Sequence, residues 1–482
     1  MKLKTLLFMS ATLLMILSMV ACHQKSKSKN AETINDSTVN KNLNLLFEKY
    51  WDENAKLFPV EATANGDNRF NDQLPNDQTQ AFRDSLQTYF QSYLDKIKTF
   101  DREKLDDNNK ISYDIFTYEM NSQLEGLRLK DWMMPFNQFD GLPLMMGQIG
   151  SGTGIQPFKT AKDYDNWLSR VKGFTSWADS AIGNFRQGMV TGVVLPKALV
   201  IKMIPQMESM VVTDPGKSLF YTPLKNFPKD ISEADKKRIV IEYIHAITNE
   251  IVPTYKKLRD FLKIEYLPKT RLTSGLSAIP GGKEMYDYCV KFWTTTDETP
   301  EQIYQTGLSE VARVTQIMDS VKNAVGFKGD LKTFFNYMKT DKKFMPYKTP
   351  QQVLDAFEVI HKKMEPNLKK MYTRVPKTPF EIRQTEAFRA ASASAEYYPG
   401  SPDGSRPGIF YVPILDATKF NTTSGMESLF LHEAIPGHHY QISLQQEDTL
   451  LPKFRRFSWY GAYGEGYALY CESLGKELGL YT

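Results

Sequence analysis

Three of the chain's six histidines fall within the eight residues His432-Glu433-Ala434-Ile435-Pro436-Gly437-His438-His439. Imidazole nitrogens bind a borderline-soft cation, and a carboxylate beside them can take a proton from bound water. This is the composition of a zinc hydrolase site. The usual pattern sets two histidines four residues apart, on one helix face. Here Pro436 occupies that fourth position. On a straight helix His438 would lie about 9 Å along the axis and about 120° around from His432, and His439 about 10.5 Å along on the same face. Two imidazoles on one zinc need their nitrogens within roughly 3–3.5 Å, so a straight helix brings neither pair together. Pro436 and Gly437 are the residue types that break helical regularity. They are expected to bulge or kink the helix and swing His438 back beside His432, leaving His439 as the alternative ligand or as support for one.

A third ligand is expected from a following helix. Glu465 and Glu472 lie seven residues apart, on one helical face. One would bind the ion, and the other would accept a hydrogen bond from a ligand histidine. Glu433 is the expected general base. Arg406, in the loop Asp403-Gly404-Ser405-Arg406-Pro407-Gly408, is a candidate to grip a substrate carboxylate. Tyr411, Tyr463 and Tyr467 are candidates to steady an oxyanion, core packing being their ordinary role. The apolar run Ile409–Leu415 reads as a strand, and Pro413 points to a sheet edge able to pair with an extended peptide.

The chain opens with a targeting segment: Lys2 and Lys4, an apolar run from Leu6 to Ile16, then Leu17-Ser18-Met19-Val20-Ala21-Cys22. It resembles a bacterial lipoprotein signal over residues 1–22, and the resemblance implies a lipid on Cys22 and anchoring in the cell envelope. An ordinary cleaved signal would export the chain without the lipid. Residues 23–40 are polar and read as a flexible tether. Later runs fall short of the roughly 18 apolar residues of a membrane helix. Cys289 and Cys471 make no disulfide framework and read as buried thiols. The formal charge of +4 over 482 residues offers no basic face for nucleic acid.

From about 41 to 270 apolar residues return every three or four positions, as in Gln80–Phe100, Asn108–Leu127, Ala161–Gly188 and Glu233–Phe261, with Met145–Pro157, Gly192–Pro196 and Thr213–Pro228 between as loops. From 271 on, Thr299-Pro300-Glu301-Gln302, Thr349-Pro350-Gln351-Gln352 and Thr378-Pro379-Phe380-Glu381 read as capped helix starts. Ser424-Gly425-Met426-Glu427 reads as the cap of the helix carrying His432. His245 and His361 lie in ordinary helical patterns. The expected fold is mainly α: a large helical body with a cleft, and a small sheet near the site helix.

Five motifs together resemble the bacterial family called domain of unknown function 885. They are Gly275-Leu276-Ser277-Ala278-Ile279-Pro280-Gly281-Gly282-Lys283, Thr294-Thr295-Thr296 before Thr299-Pro300-Glu301, Asp403–Gly408, His432–His439, and Glu465-Gly466-Tyr467-Ala468-Leu469-Tyr470. The resemblance runs from about Leu43 to the end of the chain. It implies kinship with gluzincin zinc metallopeptidases, in which the first glutamate of such a pair is the ligand. That favours Glu465 as ligand and Glu472 as support, with Zn2+ as the cofactor. The expanded motif is similar in kind to that of dipeptidyl peptidase III. Members of the family continue past the segment matching Tyr481, so a truncated C-terminus is expected. The function expected is an exported zinc metallopeptidase acting on peptides. The alternatives are a zinc hydrolase of non-peptide amides or esters, and a surface lipoprotein that binds ligands without catalysis. The sequence carries no sign of an oligomeric state.

Overall fold

The structure is a computed structural model that describes residues 29–481; the signal segment and the lipidation position Cys22 lie outside them. Three helices form the first layer: α1 (Lys29–Leu57), α2 (Gln80–Ile97) and α3 (Asp107–Gly126). Thr79 and Asp106 cap the last two, each side chain accepting a backbone N–H. Their periodic apolar faces meet in an aromatic-rich core of Phe47, Tyr50, Phe90, Tyr93 and Phe116. α1 begins inside the stretch read as a tether. The helix is continuous from Lys29, and Val39 packs on the core that Leu43 opens.

The second layer holds α4 (Ala161–Thr191), α5 (Lys197–Ser209), α6 (Glu233–Ala246) and α7 (Val252–Asp260). Trp167, Phe174, Trp177 and Phe185 of α4 are buried against Tyr243 and Tyr255. Two π turns, Ile247–Ile251 and Phe261–Tyr266, flank α7; Pro253, which lacks the N–H of a regular ladder, follows the first. Part of the expected Met145–Pro157 loop is instead helical, over Leu142–Gly150. Arg170 of α4 is fully buried and donates to the carbonyls of Pro59, Phe70 and Gln73, to Thr63 Oγ1 and to Gln156 Oε1. It ties the short helix Pro59–Ala64 to the second layer.

Beyond these come α8 (Gly282–Thr294), α9 (Pro300–Ala324), α10 (Leu331–Thr340) and α11 (Pro350–Met371). The capping boxes Thr299/Gln302 and Thr349/Gln352 form as the sequence predicts. The third does not: residues 380–384 are strand β1 (Phe380–Gln384). The Thr378 hydroxyl and the N–H groups of Lys377 and Thr378 all donate to the Glu447 carboxylate, and alternating Phe380 and Ile382 pack into the core around α11. A tertiary partner thus overrides the local cap.

β2 (Glu396–Tyr398) and β3 (Gly408–Val412) complete one three-stranded sheet, ordered β1-β3-β2, with β3 parallel to β1 and antiparallel to β2. β3 is therefore the centre and not the expected edge. Every residue of it is buried, as its unbroken apolar run allows, and Pro413 falls just past its end. The free edges belong to β1 and β2.

A strap over residues 453–460 joins the C-terminal part to the first layer. Phe454 packs on Phe47 and Phe116 with centroids 4.7 and 5.1 Å away, Phe457 stacks on Trp51 at 5.1 Å, and Arg455 donates to Asn108 and Ser112. Among the described residues, no helix is long and apolar enough to cross a membrane. Cys471 is buried as expected, whereas Cys289 is half-buried, and both are free.

Candidate metal centre

Three helices carry the site: α12 (Met426–Glu433), α13 (His438–Glu447) and α14 (Gly461–Glu472). The helix starts one residue later than the box expected at Ser424 would place it. Gly425, at φ +81°, occupies the cap position without a side-chain bond, and the Glu427 carboxylate instead accepts the Tyr481 N–H. Between α12 and α13 the chain does more than kink. Ala434 (φ −107°, ψ −104°) and Gly437 (φ −71°, ψ −126°) leave helical geometry altogether, and the Ile435–Pro436 peptide is cis. The ladder resumes when the His439 N–H donates to the Ala434 carbonyl at 3.1 Å. A Cβ on Gly437 would stand 1.9 Å from the His432 carbonyl oxygen and 2.3 Å from that of Leu431, so this turn admits only glycine.

The break brings the His432 and His438 rings together, centroids 4.8 Å apart and nearly perpendicular. Glu465 Oε2 lies 3.2 Å from His432 Nε2 and 3.7 Å from His438 Nε2. One ligand atom from each of these residues falls within 4.8 Å of the others. His432 Nδ1 is 2.8 Å from Glu472 Oε1. That bond fixes the ring and turns Nε2 toward Glu465, the role of a supporting carboxylate. Burial, then the neighbouring His432, lowers the His438 pKa to about 4, so its ring is a neutral donor. Two imidazoles and a carboxylate fit a zinc ion with a coordination position left open, the donor set of catalytic rather than structural sites.

Glu433 lines the same cavity and is nearly buried. Its pKa is raised to about 7: burial drives it up, His432 opposes this, the Glu465 charge adds to it, and the Tyr397 N–H bonds its carboxylate. His439 is turned away from this group. Its Nδ1 meets Tyr397 Oη at 2.9 Å and its ring packs on Phe380. Gly408 makes the Tyr397–His439 pair possible, since a Cβ there would stand 2.2 Å from the hydroxyl. His439 therefore supports the sheet beneath the site and is not a ligand in this geometry.

Arg406 and Tyr411 do not reach the cavity. The Arg406 guanidinium donates to the Ala64 carbonyl at 2.5 Å, and its loop closes on itself through the Asp403 carboxylate, which accepts from Ser401 and Ser405. Tyr411 is buried in the central strand under the Arg389 guanidinium. Tyr463 is exposed, and Tyr467 donates to Tyr372 Oη at 3.4 Å, both outside the cavity. The sequence reading missed three elements: Glu396 and Tyr397 on β2, and Trp459, whose ring lies 5.4 Å from that of His438. Tyr397 opens the turn-rich stretch 397–408, which reads as loop, Glu396 directly precedes it, and Trp459 stands outside every motif, so none of the three carried a signal. The cavity these residues line has a volume of about 790 Å3.

The model for bacterial proteins of unknown function known as DUF885 matches residues 59–482. The chain belongs to this family. Among solved structures, that of a candidate lipoprotein from Colwellia psychrerythraea is similar at 21% identity and a TM-score of 0.80, covering 92% of this chain and 79% of that one. This DUF885 chain shares its fold. No curated protein matches the chain.

Proposed function

We propose that this DUF885 protein is a zinc-dependent hydrolase of peptide bonds. One observation carries the reading: His432, His438 and Glu465 converge within 4.8 Å in a cavity that Glu433 also lines. A bound zinc ion would supply Lewis acidity and acidify a water molecule. His432, His438 and Glu465 would hold the ion, and Glu472 orients His432 through Nδ1. The Glu433 carboxylate accepts the water's proton and returns it to the leaving nitrogen; its raised pKa suits a group that must both take and give a proton near neutrality.

A peptide is favoured over other amides or esters by β2. That strand pairs on one side with β3, its Tyr397 N–H meets the Glu433 carboxylate, and residues 394–397 line the cavity, so an extended chain can lie along it beside Glu433. We read the protein as anchored in the cell envelope through a lipid on Cys22. This rests on the signal-like N-terminus and on the description of the Colwellia protein.

The test is Glu433→Gln. The variant is expected to retain metal by elemental analysis while cleavage of a peptide library falls by about 10²–10⁴-fold, the usual worth of a general base. Full activity in the variant, or purified protein without stoichiometric metal, would remove the reading. Retention of metal in both forms with no turnover of any peptide, amide or ester would favour a ligand-binding lipoprotein.

A further inference from the structure

A second cavity lies against the metal cavity, with a volume of about 370 Å3. It is enclosed by α1, the helix Pro59–Ala64, α3 and the strap. Asn65, Phe457, Ser458 and Trp459 line both cavities, so the second opens on the wall of the first. Half of its lining residues are aromatic, and its only charged residues are Glu61 and Glu119. No lysine or arginine faces it.

Glu119 accepts a hydrogen bond from the Tyr460 hydroxyl. Among the described residues, Glu61 has neither a hydrogen bond nor an ion pair to its carboxylate. Glu61 is exposed and lines the cavity, and the protein around it raises its pKa. Burial also raises Glu119, to about 7, and no basic group acts on either carboxylate. Two carboxylates on the wall of one cavity, without a counter-charge, favour a cation there. The aromatic faces add cation–π attraction, strongest where water is excluded.

We propose that this cavity receives a cationic group of the substrate, an ammonium or a guanidinium, while the scissile bond lies in the metal cavity. The inference rests on the hydrolase reading and names its substrate class: peptides bearing a positive charge close to the cleaved bond. Trp459 is the common wall, set between the His438 ring and the aromatic cavity. The charge comes from either a peptide's α-amine or a basic side chain, and the ligand chemistry is the same for both.

The test is a binding measurement, independent of turnover. The metal-loaded protein is titrated with Nα-acetyl-arginine amide, phenylalanine amide and Nα-acetyl-citrulline amide, followed by calorimetry and tryptophan fluorescence. At least one of the first two is expected to bind tenfold or more tightly than the neutral citrulline probe. Preference for acetyl-arginine amide assigns the charge to a side chain, and preference for phenylalanine amide to the α-amine. Glu61→Gln and Glu119→Gln are each expected to erase the preference without changing metal content; if the second fails to fold, the first carries the test. Equal binding of charged and neutral probes, no binding of any, or a preference that survives Glu61→Gln overturns the proposal. These outcomes are separate from the Glu433→Gln result: hydrolysis can stand while charge selection falls, and the reverse.

Discussion

The two cavities that meet at Trp459 are built in opposite ways. The metal cavity is a local construction. Ala434–Gly437 abandon helical geometry so that residues six apart in sequence share one point, and a single helix, α14, supplies both carboxylates that attend them. The aromatic cavity is a long-range construction. Its walls come from α1, from the short helix after it, from α2 through Phe90, from α3, from α8 through Phe292, and from the strap. Its two acids lie 58 residues apart in sequence, and neither sits in a recognisable motif. The local site is specified by a few residues that permit one backbone path. The long-range site is specified by packing that no short stretch encodes.

The sharpest way to break the comparison is His438→Ala. Removing one of three ligands is expected to lower metal affinity by more than the ~10–100-fold typical of losing a supporting group, while leaving binding of the cationic probes unchanged. Metal titration beside calorimetry on the same sample reads both. Glu472→Gln should cost within that range, about 10–100-fold in metal affinity, because the His432 ring loses the acceptor that fixes it. Gly437→Ala tests the backbone path itself. Its Cβ cannot coexist with the His432 carbonyl, so a loss of roughly 1–3 kcal/mol in denaturant unfolding is expected, together with weakened metal retention.

The smallest effect is expected on the other side of Trp459. Glu119 is held near pKa 7 in the folded chain against an ordinary 4.5, so the folded state binds more protons between those values. Stability contributed by the protonated form is complete below about pH 4.5 and is lost as pH rises through about 7. In Glu119→Gln this part of the pH-dependence should vanish, a change on the order of 1–2 kcal/mol across that window once cavity solvent is allowed for. An unchanged profile in pH-resolved unfolding would show that Glu119 is not the buried acid the cavity requires.

This contrast explains what could be read from the residues alone. Helices capped by their own neighbours, such as those after Thr299 and Thr349, were legible because cap and helix lie within four residues. The trio of His432, His438 and Glu465 was legible because ligand chemistry narrows the choices more than conformation does. Thr378-Pro379-Phe380-Glu381 carries the same cap signal yet becomes a strand, since Glu447 takes the threonine and β3 takes the backbone. Arg406 looked like a free cation in a glycine-rich loop, but its partner is a carbonyl more than three hundred residues earlier. The Pro413 rule pointed to an edge because proline lacks a donor. The strand simply ends before it matters.

Phe454 and Phe457 are drawn into the first layer of helices, while Ser458 and Trp459 face both hollows. One short run of backbone therefore acts as a shared partition. If it shifts, the two compartments change shape together, so the size of group tolerated on one side and the charge favoured on the other are not independent traits. A variant library confined to residues 453–460 would be expected to alter both together, whereas libraries in α12 or α3 would alter one.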